Sequence, residues 1–376
     1  MHEPGEASRP LEASTVPQGS GHKPTASVGS TEPPRTRAKR VLRTVVQVGG
    51  FAFGLGLLAW CGMQAFSPEN RAQIEKLRTA PAWMPASVAA LSMLSLAWNG
   101  LIFWAILKPA TARAPAPDVV SVNAIAAFLN YLPFKLSVAS RFLIHNRRNG
   151  IPLATIAAWL AASAVAMMLV LGPLVVASAW RGRLDTLWFI SAGAMIAVAA
   201  ALTCAVTRVL RGERGLALVQ HWAARSPVAP GLLSRLARTP TCHHLHSGFA
   251  MLSSPRFLAL ATALRLADVA TQAARFVIIG EAVGRTIAWD QATLLSATYF
   301  LIGVLSPAGA LGMREGGTTW IAKGLDLPDS EVIAVVTLAL GAIDALVILT
   351  GAAIGVAWLR PDRLLRKRLA EARPAA

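Results

Sequence analysis

Two adjacent charges, Arg314 and Glu315, stand inside apolar sequence, in the stretch S-P-A-G-A-L-G-M-R-E-G-G at Ser306–Gly317. A guanidinium offers a planar fork of donors suited to a phosphate, and a carboxylate beside it can pair with a cationic headgroup or carry a proton. The alternative is that the two pair with other buried charges and only hold a turn. Gly309, Gly312, Gly316 and Gly317 would let the backbone approach a headgroup closely, or merely pack a neighbouring helix. Pro307, Gly316 and Gly317 break regular helix, since proline lacks a backbone donor and glycine loosens the coil. A second candidate group lies in L-N-Y-L-P-F-K-L-S-V-A-S-R, Leu129–Arg141. There Asn130 and Pro133 precede Lys135 and Arg141, which can receive an anionic headgroup or serve as interfacial anchors. Arg265 and Asp268 are three apart and share a helix face. Arg275–Asp344 and Arg314–Asp344 are further candidate internal pairs, and pairing favours a structural role because a lone buried charge costs more than a matched one.

The elements that must position these groups are membrane helices. Hydrophobic residues make up 54% of the 376-residue chain, charged residues 15%, and mean hydropathy is +0.51. Soluble domains carry about 25% charge. The net charge of +17 falls mostly in segments flanking apolar runs, as positive-inside orientation and anionic headgroups require. No nucleic-acid motif accompanies it, so lipids are the expected partners and nucleic acid is not. Cys61, Cys204 and Cys242 lie too far apart for a disulfide framework or a zinc pattern. Cys242, His243, His244 and His246 lack a second nearby cysteine and do not make a metal site. There is no Walker motif, nucleophile elbow or catalytic dyad, so no cofactor and no enzymatic activity are expected.

In chain order, residues 1–38 are polar and rich in Pro, Ser and Gly, and read as a disordered cytoplasmic tail. Residues 39–360 form one membrane domain, with halves of about 44–209 and 257–359 and a basic cytoplasmic loop at 210–256. Residues 361–376 close the chain as a basic cytoplasmic tail. Full spans are expected at Thr44–Phe66, Met84–Leu107, Ile151–Trp180, Thr186–Val209, Phe257–Val283 and Ser330–Leu359. Ser67–Trp83 reads as a short polar loop outside. Val119–Asn149 reads as irregular, its apolar part too short to span. Gln291–Asp329 is broken. Basic flanks at both ends place both termini in the cytoplasm.

The two interrupted segments resemble each other. Pro133 aligned with Pro307 sets Ser140 and Arg141 opposite Arg314 and Glu315. The expected topology brings one interruption in from the cytoplasm and the other from outside. Paired interruptions in oppositely oriented halves point to a site near the bilayer midplane. Broken backbone is tolerated at that depth only where protein or a watery cavity receives its polar groups. A surface loop between spans is the simpler alternative for Ser306–Gly317. The fold expected is an all-α polytopic membrane protein of about six full spans plus two oppositely inserted re-entrant segments forming an inverted repeat.

These motifs resemble the transmembrane domain of lysylphosphatidylglycerol synthases, a flippase-like family. The early N-x-x-P-x-[RK] element appears as Asn130, Pro133 and Lys135 with Arg141 downstream. The late G-x-L-G-x-R-E element appears as Gly309, Leu311, Gly312, Arg314 and Glu315. The resemblance covers about Thr44–Leu359 and implies two oppositely inserted re-entrant segments and movement of a lipid or lipid-linked substrate between leaflets. The chain departs from the pattern in having Ser137 and Val138 where a Gly-Glu is usual, and Trp159, Ala162 and Ser163 where an Arg and an Asp are common. No stretch is long and polar enough for the soluble aminoacyl-transfer domain, so synthesis of an aminoacyl lipid is not expected.

The function expected is translocation of a lipid with an anionic or zwitterionic headgroup in a bacterial-type cytoplasmic membrane. Two alternatives stand beside it. One is a membrane glycosyl- or group-transferase using a lipid-phosphate donor, disfavoured by short, arginine-bearing outer loops. The other is an accessory scaffold for envelope lipid synthesis.

Overall fold

The structure, a computed structural model, describes residues 34–132, 136–225, 239, 246, 248–306, 311–327 and 332–360. The chain divides into two units, Met1–Arg43 and Thr44–Ala376. In the first, the described residues form the start of helix α1, which begins at Pro34. Most of the tail expected to be disordered, and the basic tail at 361–376, lie outside the described residues.

In chain order the helices are α1 (Pro34–Ala65), α2 (Arg71–Thr79), α3 (Trp83–Leu107), α4 (Ala116–Leu129), α5 (Leu136–Asn149), α6 (Leu153–Arg181), α7 (Thr186–Leu210), α8 (Gly212–Arg225), α9 (Pro255–Ala282), α10 (Trp289–Leu305), α11 (Met313–Gly324) and α12 (Ile333–Leu359). No strand occurs among the described residues. Among the described residues, six helices are long and apolar enough to cross a membrane: α1 over Val48–Ala65, α3, α6, α7, α9 and α12. They coincide with the six expected spans. The protein is an all-α polytopic membrane protein.

Local sequence explains where the spans begin and end. α6 stops at Gly182, whose φ of 62° suits the left-handed cap that glycine provides. Asp185 then caps α7, its side chain accepting a hydrogen bond from the Trp188 amide at 2.8 Å. Arg181 and Arg183 pair with the same carboxylate, which closes the connection tightly. The Arg181 bond, followed by the Trp188 amide, holds Asp185 well below the usual carboxylate range.

Three regions differ from their sequence reading. The loop expected at Ser67–Trp83 contains α2, a nine-residue helix with no buried residue. The region read as irregular, Val119–Asn149, resolves into α4 and α5. The gap at Leu210–Arg256 holds α8. α2, α5 and α8 are short and polar or amphipathic, so a search for long apolar runs passes over them.

Two large packed cores and a small one at Val122, Ile125 and Leu359 support the bundle among the described residues. One is built around the fully buried Trp159 of α6, whose indole donates to the Phe103 carbonyl at 2.9 Å and whose ring meets Phe103 edge-on. The other gathers Phe276 and Tyr299 with residues of α1, α9 and α12. α3 packs most extensively on α9, and α4 on α12. Gly351 and Gly355 of α12 admit α3 and α4: a Cβ on Gly355 would meet the Ser121 carbonyl at 2.7 Å.

α4 and α5 have 14 residues each, α10 has 17 and α11 has 12. At 1.5 Å per residue even the longest reaches only about 25 Å, short of the ~30 Å hydrocarbon core. These four helices form two broken pairs, α4–α5 and α10–α11. Pro133 and Lys135 at the first break, and Pro307 and Gly309 at the second, lie outside the described residues.

Candidate functional site

A cavity of about 340 Å³ opens between the broken pairs and helices α3, α6, α9 and α12. Its wall includes Asn123, Asn130 and Tyr131 from the α4 side, Arg141 from α5, Gln272 and Arg275 from α9, and Arg314 and Asp344. Its rim is different in character. Leu132, Val138 and Val304 line it while remaining exposed.

The charges form a layer. Asp344 accepts from Arg275 Nη2 at 3.0 Å and from Ser92 Oγ at 2.8 Å, and Arg314 Nη1 lies 3.9 Å from it. Arg314 Nη2 donates to the Tyr131 hydroxyl at 2.7 Å. The same guanidinium lies over the Tyr299 ring at 4.7 Å. Glu315 is 2% exposed and takes a bond from the Tyr299 hydroxyl at 3.2 Å, with Arg314 at 3.9 Å. Behind this layer, Arg265 and Asp268 pair at 2.6 Å, and Asp268 also accepts from Ser95, Asn99 and Gln272. All three candidate pairings are therefore brought within 4 Å, Arg265–Asp268 most closely.

Arg141 differs from the other arginines. Its Nη2 donates to Asn123 Oδ1 at 2.8 Å, and its guanidinium lies 4.1 Å from the centre of the Phe103 ring. Its Nη1 is buried without a partner, and among the described residues no carboxylate lies within salt-bridge distance.

The glycines face elsewhere. Gly312 has φ of 73°, and a Cβ there would sit 1.9 Å from the Gly54 carbonyl of α1, so both conformation and space demand glycine. Gly316 abuts Leu57 of α1, and Gly317 abuts Ile302 of α10; both lie in the first turns of α11. These three seat the second broken pair. Gly303 and Gly341 do something else: a Cβ on either would collide with the side chains of Arg314 and Glu315 respectively. Their absent side chains make room for the charges.

Sequence reasoning passed over both tyrosines. The chain has only two, and both lie against Arg314. Tyr131 sits beside the first break and Tyr299 precedes the second by a few residues, so rarity and position together were the available signal. Asn99 and Gln272 carried no such signal, being single polar residues in spans.

A second polar cluster joins the start of α4, the end of α5 and the end of α12. Asp118 accepts from Arg148 at 2.7 and 3.1 Å, from Asn149 at 3.2 Å and from the Trp358 indole at 3.1 Å. Arg148 also donates to the Leu359 carbonyl at 2.9 Å. Burial pushes the Asp118 carboxyl up, but the bonds from Arg148, Trp358 and Asn149 outweigh it, and the net direction is down. His246 bonds to the Gly212 carbonyl at 3.0 Å, while Cys242, His243 and His244 lie outside the described residues.

The geometry is that of a small polar chamber with an apolar, exposed rim, held between two broken helix pairs in a membrane bundle. Comparison with curated proteins and with solved structures yields no match. Residues 47–357 match the family described as the lysylphosphatidylglycerol synthase TM region, and the chain belongs to that family.

Proposed function

We propose that the protein moves a lipid, or a lipid-linked substrate, between the leaflets of a bacterial-type cytoplasmic membrane, with both termini in the cytoplasm. One observation carries the reading: the cavity has charged and amide walls but exposed Leu132, Val138 and Val304 at its rim. A headgroup fits the walls while acyl tails remain among apolar side chains in the bilayer. The two broken pairs act as re-entrant segments inserted from opposite faces. Two facts support this: α4 starts beside the end of α12, and its far end reaches Arg314 just past the second break. Such broken elements from two halves suit a substrate site near the midplane. The headgroup is received at Arg141 and meets Arg314 on its way across. No chemical step is assigned to the site.

The test is transbilayer movement of labelled native lipid in proteoliposomes. Wild type moves lipid, and Arg141→Ala and Arg314→Ala each slow it without lowering expression. A wild type that moves no lipid sinks the reading and favours the scaffold alternative.

A further inference from the structure

Among the described residues, four arginines and three carboxylates lie at or directly behind the cavity wall. Arg265 is taken by Asp268 and Arg275 by Asp344, while Arg314 lies 3.9 Å from both Asp344 and Glu315. Arg141 is left over, held by Asn123 and Phe103, with one buried nitrogen unpartnered. A buried cation without a counter-charge is costly, and a bound anion offsets that cost. The described residues thus leave a single positive charge for an occupant to neutralise.

The rest of the wall says what accompanies the anion. Asp344 is the one carboxylate among the described lining residues, and Arg275, Ser92 and Arg314 already occupy it. Among the described lining residues an ammonium finds no free carboxylate and meets three guanidiniums; Glu315, whose Oε2 lacks a partner, lies behind that wall. Uncharged amides, by contrast, retain hydrogen-bonding capacity. Asn130 receives only a long bond from Ser137, at 3.4 Å, and the carbonyl oxygens of Asn99 and Gln272 have no partner among the described residues. Amides offering both donors and acceptors match hydroxyl groups.

We infer that the cavity selects a lipid whose headgroup is a singly charged phosphodiester bearing neutral hydroxyls, a polyol or sugar, and disfavours aminoacylated headgroups. The inference rests on the translocation reading only for the claim that the occupant is a lipid. Arg141 holds the phosphodiester, and Asn130, Asn99 and Gln272 read the hydroxyls. A volume of about 340 Å³ lies at the small end of ligand pockets, ~300–1,000 Å³, and suits a headgroup whose tails stay outside.

The experiment uses the full chain in nanodiscs of phosphatidylcholine doped with an equal minor fraction of one test lipid, and counts lipid retained per protein by native mass spectrometry. Phosphatidylglycerol carries the charge and the hydroxyls. Phosphatidylethanol carries the same charge without hydroxyls, and lysylphosphatidylglycerol adds ammonium groups. On wild type, phosphatidylglycerol is retained about tenfold or more over the lysyl lipid, with phosphatidylethanol between them. Arg141→Gln lowers retention of both anionic lipids about tenfold. Asn130→Leu removes the preference for phosphatidylglycerol over phosphatidylethanol. Equal retention of the lysyl lipid, or retention indifferent to Arg141, overturns the inference. If Arg141→Gln does not fold, the wild-type lipid comparison alone decides. Glycerophosphoglycerol, the same headgroup without tails, fails to displace the lipid; displacement at equal concentration would make the occupant a soluble phosphodiester. Selective retention without movement in proteoliposomes removes the translocation reading and leaves this site standing. Movement of every lipid without selective retention does the reverse.

Discussion

Arg314 Nη2 lies 2.7 Å from the Tyr131 hydroxyl, a bond that spans 183 positions of sequence and joins the two helix breaks. Contacts within each half also flank the breaks: Ser137 donates to Asn130 at 3.4 Å and Tyr299 to Glu315 at 3.2 Å. The Tyr131–Arg314 bond ties one half to the other, and described residues flanking both breaks line the same cavity.

Tyr131→Phe removes the hydroxyl and keeps the ring. The Arg314 donor then loses a buried acceptor, at a cost of ~1–3 kcal/mol. Thermal unfolding of the purified protein should show the loss, and lipid movement should slow. Arg314→Lys should recover only part of the activity that Arg314→Ala loses, because an ammonium lacks the planar fork that serves Tyr131 and the ring stacking on Tyr299. Full recovery by lysine would show that charge alone matters.

Arg275 and Asp344 are both nearly inaccessible, with side chains 4% and 6% exposed. Asp344→Asn strands Arg275 and should destabilise the bundle by about 3–5 kcal/mol. Replacing both, as Arg275→Met with Asp344→Leu, should restore much of that stability. Restoration stays incomplete because Ser92 and Arg314 also lose Asp344 as a neighbour. A double-mutant cycle on thermal unfolding measures the coupling; strict additivity would mean the pair does not interact.

Asp118 bonds Arg148, Asn149 and Trp358 as a carboxylate, and its pKa in the folded protein lies below the ordinary value. Its stabilising contribution is therefore complete above the unfolded value of about 3.9, and is lost as pH falls through the folded one. The Asp185 carboxyl is likewise held below its ordinary value, by Arg181 and the Trp188 amide. Wild type should thus lose thermal stability as pH drops below about 4. Asp118→Asn should be less stable at neutral pH and show a smaller acid-dependent loss. An identical acid profile for the two proteins would remove Asp118 from the account.

Topology is open to thiol labelling once Cys61, Cys204 and Cys242 are replaced. Arg147, at the end of α5, and Thr286, between α9 and α10, are both exposed and suit single cysteines. With the two broken pairs inserted from opposite faces, a cysteine at 286 labels from outside in intact cells. A cysteine at 147 labels only after permeabilisation. Labelling of both from one side rejects opposite insertion.

Sequence alone determined the class of molecule. Hydropathy is a local quantity, summed over a window of about 20 residues. The spans α3, α6, α7, α9 and α12 could therefore be read within a few residues of their ends. The Arg265–Asp268 pair was legible for the same reason, since helical periodicity sets two residues three apart on one face. The family motifs marked both breaks. What remained hidden was everything set by distance through space. Asp344 lies 3.0 Å from Arg275 and 3.9 Å from Arg314, a preference fixed by how α9, α11 and α12 pack. Gly312 and Gly316 read equally well as headgroup contacts or as seats for a helix, and only the approach of α1 decides for packing. The tertiary structure alone separates Arg141 from its neighbours, because its isolation consists in where the carboxylates of other helices are not. Charge balance inside a membrane protein is a property of the assembled bundle, and the order of residues along the chain does not record it.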